Sequence, residues 1–454
     1  MRAPSGRTLL LAAMAAVALL TAPVVAMAQD HAKAKPETKR VQTVGEWAFK
    51  RLSAAHEALA KSKHADALQP LDEMKDSSRL NDNEKALMWQ TYGYVYASQG
   101  KYKPATDAFE RCLATGGLPD AAQLDTQYNL AQLYVAQERY NDAVRVFRDW
   151  IAKAENPTGE AHYVYAIALF QSGDKRTALT QGELALGKAT APKESWLQLV
   201  LSLYVENKDY PKAIGVTEAL VAYFPKKSYW LQLSAVYSQV DDYKHALAAL
   251  QLARAQGMVD DDRELNHMAQ LYLYNEIPYQ AAVLLEDGLA SGKIEGTPQA
   301  WRLLSDAWVN ARERKKAEKP LDEAANRSGD GELYVRLAQI QFERKDWGGV
   351  RESLGRALKK GKLADPGSAQ LLLGIASAND KKLDQARGAF EAAAQHEKYR
   401  RSAEQWLVDI DNELAQSGAG AAVKGGPKDA SAPPAPEPAA TPGAAAQPEP
   451  RGGA

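Results

Sequence analysis

The chain has almost no cysteine: Cys112 is the only one among 454 residues, so no intramolecular disulfide can form and the fold must hold by packing. It has no excess charge of either sign. With 56 basic and 57 acidic side chains the formal charge is -1, which supplies no global field for nucleic acid or anionic lipid, and no nucleic-acid partner is expected. No apolar run after residue 28 reaches the roughly 18 residues that a membrane helix needs. The 7 histidines never adopt an H-E-x-x-H or comparable ligand spacing, and there is no G-x-S-x-G elbow. Gly288-Leu289-Ala290-Ser291-Gly292-Lys293 has the wrong glycine spacing for a phosphate loop, with Ile294 where Ser or Thr would bind magnesium. No metal, cofactor or nucleophile chemistry is expected from this inventory. Cys112 reads as an inert core thiol and His162 as a core histidine.

Both ends of the chain carry composition signals. Arg2 and Arg7, the apolar stretch Thr8 to Leu20 and the small-x-small triplet Ala26-Met27-Ala28 predict a signal peptide over 1–28 and a linker over 29–44. The expected location is periplasmic after cleavage near Ala28, or the inner membrane if the leader stays on as an anchor. Residues 417–454 are rich in Gly, Ala and Pro, as in Ala432-Pro433-Pro434-Ala435-Pro436-Glu437-Pro438. Such a segment cannot bury enough apolar area to offset its ordering entropy, so a disordered tail with polyproline II character is predicted.

The body between them is periodic. A small residue recurs at Ala105, Ala143, Ala178, Ala213, Ala246, Ala281, Ala317, Val350 and Ala386, at intervals of 33 to 38 residues. Nine places before it stands a large residue: Tyr96, Tyr134, Leu169, Tyr204, Tyr237, Tyr272 and Trp308, with Gln341 and Ser377 departing. Four places after it come Phe109, Phe147, Leu250, Leu285, Leu321, Leu354 and Phe390, with Gly182 and Thr217 departing. Trp89, Tyr92, Gly93, Tyr96, Ala105 and Phe109 show the unit most completely: large residues form one helical stripe, and glycine and alanine stand where helices cross. Turn residues such as Gln99-Gly100-Lys101 and Asn207-Lys208-Asp209 divide each unit into two short antiparallel helices.

This pattern resembles the tetratricopeptide repeat family. The resemblance implies an all-α solenoid of helical hairpins in a right-handed superhelix over 45–416: a degenerate first unit at 45–76, about nine repeats over 85–395, and a capping helix at 399–416 carrying Trp406, Leu407, Ile410 and Leu414 on its apolar stripe. It further implies a concave groove lined by the first helix of each hairpin. Mapped onto this chain, the groove residues are Gln90, Tyr94, Tyr128, Gln132, Tyr163, Ile167, Phe170, Gln198, Asn266, Gln270, Arg302 and Gln339, with Asp306 as a groove carboxylate lacking an evident partner. Rings among carboxamides suit an extended or helical protein segment. The expected function is non-enzymatic binding of envelope proteins or peptide segments. The layout is similar to periplasmic repeat proteins that accompany TonB, ExbB and ExbD energy-transduction systems. Alternatives are a scaffold for exopolysaccharide export or cell-wall assembly, or the recognition module of a glycan- or peptidoglycan-processing enzyme.

Overall fold

A computed structural model describes residues 42–419, so the expected leader, the linker up to residue 41 and the tail from residue 420 lie outside the described residues. Among the described residues the chain is helical throughout, and the helices pair in sequence order. They divide into two compact units after Glu295. The first holds α1 (Glu46–Ala60) with α2 (His64–Lys75), α3 (Asp82–Ser98) with α4 (Tyr102–Ala114), α5 (Asp120–Ala136) with α6 (Tyr140–Ile151), and α7 (Gly159–Ser172) with α8 (Lys175–Gly187). It continues with α9 (Glu194–Glu206) and α10 (Tyr210–Tyr223), α11 (Lys227–Gln239) and α12 (Tyr243–Ala255), then α13 (Asp262–Tyr274) and α14 (Pro278–Ala290). The second holds α15 (Pro298–Asn310) with α16 (Arg314–Arg327), α17 (Glu332–Glu343) with α18 (Trp347–Lys360), α19 (Pro366–Asn379) with α20 (Leu383–Ala394), and the closing helix α21 (Glu397–Ala419). Within each unit every helix packs on its sequence neighbours, so the stability of each unit is a sum of hairpin and nearest-neighbour terms.

One backbone feature sets every hairpin. Five residues before each small marker the chain turns left-handed, at Ser62, Gly100, Glu138, Gly173, Lys208, Asp241, Glu276, Arg312, Lys345 and Lys381. Only Gly100 and Gly173 are glycines, the residue that reaches this region without a Cβ penalty. The next residue starts the second helix, and Asp174, Asp209, Asp242 and Asp346 cap it by accepting the backbone N–H three residues on.

The markers are fully buried, including Ala67 in the first hairpin, where helices cross too closely for a larger side chain. Phe109 and Phe390, four places on, lie against Gly93 and Gly374, where an added Cβ would collide with the ring. The departures are absorbed locally. Val200 of the following helix comes up against Gly182, Thr217 returns its hydroxyl to the Ala213 carbonyl at 2.7 Å, and Gln341 accepts a hydrogen bond from Ser353 at 2.8 Å. Burying one Phe or Leu in this way stabilises by about 1.5–3 kcal/mol.

The described boundaries differ slightly from the expected ones. The first hairpin is complete, with the same left-handed turn at Ser62 and with Leu71 buried at the position of Phe109. Helix α3 begins at Asp82 because Asn81 and Glu84 form a reciprocal capping box at 2.9 Å each way. The closing helix stacks Trp406 on Phe390 with ring centroids 5.5 Å apart, and buries Ala403 and Ile410. It continues through 417–419 into the segment expected as tail, since no proline interrupts it before Pro427.

Candidate functional site

First helices touch directly in the pairs α1 with α3 and α5 with α7, and α19 meets the closing helix α21 in the same way; facing side chains along the first helices either bridge hairpins or remain available. The twelve predicted groove residues divide on this point. Tyr128 and Ile167 are buried and offer no partner surface, which corrects their assignment. In α5 the usual core position is taken by Gln127, and the ring one residue later turns inward, 5.2 Å from Trp150 and 6.0 Å from Phe147. In α7 every residue from Val164 to Leu169 is buried, and a helix that is apolar all round sinks into the core.

Four more residues bridge hairpins. Gln90 donates to Thr126 Oγ1 at 2.8 Å, and the Tyr94 hydroxyl accepts from Asn129 Nδ2 at 3.4 Å. Tyr163 stacks on Trp196 at 5.4 Å, and Gln198 donates to the Tyr229 hydroxyl, which in turn donates to Glu194. Burial pushes the Tyr94 hydroxyl up to about 12, keeping it neutral.

The rest keep accessible surface. Gln132, Phe170, Asn266 and Gln270 are half-buried in the first unit, with the Asn266 amide turned back to the Asp262 carbonyl at 2.8 Å. In the second unit Arg302 and Gln339 are exposed. Asp306 has partners, contrary to the expectation: Arg336 pairs with it from α17, and Arg302 approaches to 3.7 Å from its own helix. Burial raises the Asp306 carboxyl above its usual range while the two guanidinium groups pull it down. One carboxylate between two arginines leaves a local positive charge, with no second carboxyl in the pairing to support acid–base hydrolysis.

A set of inter-hairpin hydrogen bonds has no counterpart in the predicted sites. Tyr134, Tyr204 and Tyr237, nine places before their markers, donate to Glu110, Glu183 and Glu218, each five places after the preceding marker. Gln251 Nε2 donates to the Tyr272 hydroxyl at the same register. Acids at a fixed offset were the available signal. His162 is buried with Nδ1 2.7 Å from Gln181 Oε1, and burial lowers its pKa. Cys112 is also buried, its thiol pushed up to about 12. Among the described residues no three His, Cys, Asp or Glu side chains gather to hold a metal, and no helix is long and apolar enough to cross a membrane.

Two models of the tetratricopeptide repeat match the chain, one over residues 86–114 and one over 128–194. The chain carries tetratricopeptide repeats over these residues. Similar solved structures include a tetratricopeptide repeat protein from Parabacteroides merdae, at 15% identity and TM-score 0.33, covering 66% of this chain and 100% of that one. The C-terminal part of a repeat-containing protein from Cytophaga hutchinsonii matches at 13% identity and TM-score 0.38, covering 53% of this chain and 98% of that one. MamA from Desulfovibrio magneticus matches at 16% identity and TM-score 0.34, covering 40% of this chain and 96% of that one. No curated protein matches. The repeats support a protein-interaction scaffold, and no enzymatic family is indicated.

Proposed function

We propose that the chain is a non-enzymatic scaffold of the bacterial envelope that binds segments of other proteins along the first-helix faces of its hairpins. The observation that carries this reading is the division of labour within those helices. Tyr128, Ile167 and the bridging residues hold the stack, while Gln132, Gln270, Arg302 and Gln339 keep accessible surface and Phe170 keeps part of its ring open as it packs on the core. Carboxamides, a guanidinium and a half-buried ring suit the backbone and side chains of a bound segment. The envelope assignment, and service to a TonB, ExbB and ExbD system, rest on the leader-like first 28 residues and on the layout of repeats between a lead and a proline-rich end.

Photo-crosslinking in cells tests it. A crosslinkable residue at 132, 170, 270, 302 or 339 should capture envelope proteins, whereas one at the exposed second-helix positions 184 or 223 should not. Equal capture from both sets, or capture from neither, rejects the first-helix assignment. Capture of proteins outside the envelope rejects the location.

A further inference from the structure

The turns that join the helices within each hairpin are polar, except in two adjacent hairpins. At the residue two before, one before and one after the left-handed position, the other eight described hairpins carry only polar side chains or alanine. In the hairpins of α11/α12 and α13/α14 these positions hold Val240, Tyr274 and Ile277, which are 39%, 55% and 40% exposed. Tyr274 stacks on Tyr243 with centroids 4.7 Å apart, and Asn275 Nδ2 ties the two turns together by donating to the Tyr243 carbonyl at 2.8 Å. Packing cannot account for the apolar choice, because the same turn closes with Gln, Ser, Asn or Arg elsewhere.

Acids flank the rings. Asp241 and Glu276 occupy the two left-handed positions and Asp242 caps α12; Lys244 and His245 are the bases beside them, and His245 Nδ1 is 2.7 Å from Asp242. Asp241 accepts from the Tyr243 hydroxyl at 2.7 Å, and among the described residues no ion pair involves Glu276 within 4.0 Å. The edge is therefore aromatic and net acidic.

We infer that this edge, formed by Val240, Tyr243, Tyr274 and Ile277 with Glu276, docks a proline-rich segment of a partner protein that carries a basic residue. A strand would need free backbone N–H and C=O groups along an edge, which helical turns lack. An amphipathic helix needs a groove several turns long. A polyproline II segment needs only an aromatic ridge for its rings and a donor for its unpaired carbonyls; the Tyr243–Tyr274 stack supplies the ridge and the Tyr274 hydroxyl the donor, the Tyr243 hydroxyl being engaged by Asp241. The acids select a basic flank. In the chain's own proline-bearing end, Pro433 to Pro438 carries Glu437 and Pro448 to Pro450 carries Glu449 beside Arg451, so neither stretch is net basic and charge disfavours both as the occupant.

The test is a titration of the full-length chain with a labelled synthetic proline-rich peptide bearing one arginine, read by fluorescence anisotropy, with sedimentation in parallel. Tyr274→Ser and Ile277→Ser should each weaken binding by about tenfold. Glu276→Lys should weaken it and restore binding of the peptide whose arginine is glutamate. Gln339→Ala, on a first-helix face, should leave it unchanged, which separates this surface from the one proposed above. No binding at millimolar peptide overturns the inference. So does equal binding by Tyr274→Ser. Self-association that Tyr274→Ser abolishes would assign the edge to a second copy, and tighter peptide binding after removal of residues 420–454 would assign it to the chain's own end; either result overturns it as well.

Discussion

The hairpins of α3 to α6 and those of α15 to α18 share one backbone plan and are held together by different chemistry. In the first pair the interior is a ladder of rings: Tyr94 meets Phe109 edge-on, and Tyr128, Phe147 and Trp150 form a triangle with every centroid distance between 5.2 and 6.3 Å. In the second pair, arginine–carboxylate pairs run between neighbouring helices: Arg314 with Glu343, Arg344 with Glu318, Arg336 with Asp306, and Arg356 with Asp322 at 3.0 Å. A buried Gln341–Ser353 hydrogen bond stands at the register where Tyr96, Tyr134 and Trp308 carry rings. The repeat thus specifies a geometry and leaves the adhesive open. Buried rings supply most of the stabilisation in one region, whereas half-exposed ion pairs add little net energy and chiefly set register in the other.

The largest expected effect breaks the aromatic side of this contrast. Trp150→Ala should cost about 3–5 kcal/mol in a urea denaturation, because a fully buried ring leaves a cavity shared with Tyr128 and Phe147. Gly93→Ala should cost about 1–3 kcal/mol through the collision with Phe109, and Phe109→Leu in the same chain should return part of that loss. If the double variant is no more stable than Gly93→Ala alone, the ring is not the obstacle.

Smaller effects sharpen the comparison. The left-handed turn is common to both regions, so Glu138→Gly and Lys345→Gly should stabilise by similar amounts, each about 0.5–1 kcal/mol. A gain in only one region would show that the turns are not equivalent. Arg314→Ala, which removes an exposed pair, should change the midpoint by about 0–1 kcal/mol.

Acid titration should separate Glu183 and Glu194 from Asp306 by sign. Hydrogen bonding to Tyr204 holds Glu183 below the usual value, and Lys226 with Tyr229 does the same for Glu194. Their stabilisation is present above the ordinary value of 4.5 and is lost as pH falls through the folded values, so Tyr204→Phe should flatten that loss. Burial raises Asp306 above 3.8, so its contribution is present below 3.8 and is lost as pH rises through its folded value. Asp306→Asn should remove that loss. Denaturation midpoints between about pH 3 and 6 decide both.

Spacing alone located every hairpin after the first. Ala105 through Ala386 mark the helix crossings because only a small side chain fits there, and a steric requirement of that kind is written in each repeat independently. The left-handed turn was less legible. Its conformation is imposed by closing the hairpin and is tolerated by Glu, Lys, Arg, Asp and Ser, so residue identity announces it only at Gly100 and Gly173. The predicted groove was legible as a helical face but not residue by residue. Tyr128 and Tyr163 occupy the same register, yet one is buried against Trp150 and the other keeps a partly open ring on Trp196, because what faces each comes from a different hairpin.

The sequence by itself determined the helical class, the hairpin period, the fully buried markers and the closing apolar stripe, all of which follow from local periodicity and side-chain volume. Only the tertiary structure decided which first-helix side chains bridge hairpins, that Asp306 sits between Arg302 and Arg336, and that Val240, Tyr274 and Ile277 gather at one edge. Those outcomes depend on contacts between residues roughly one repeat apart, which a repeating pattern permits but does not choose.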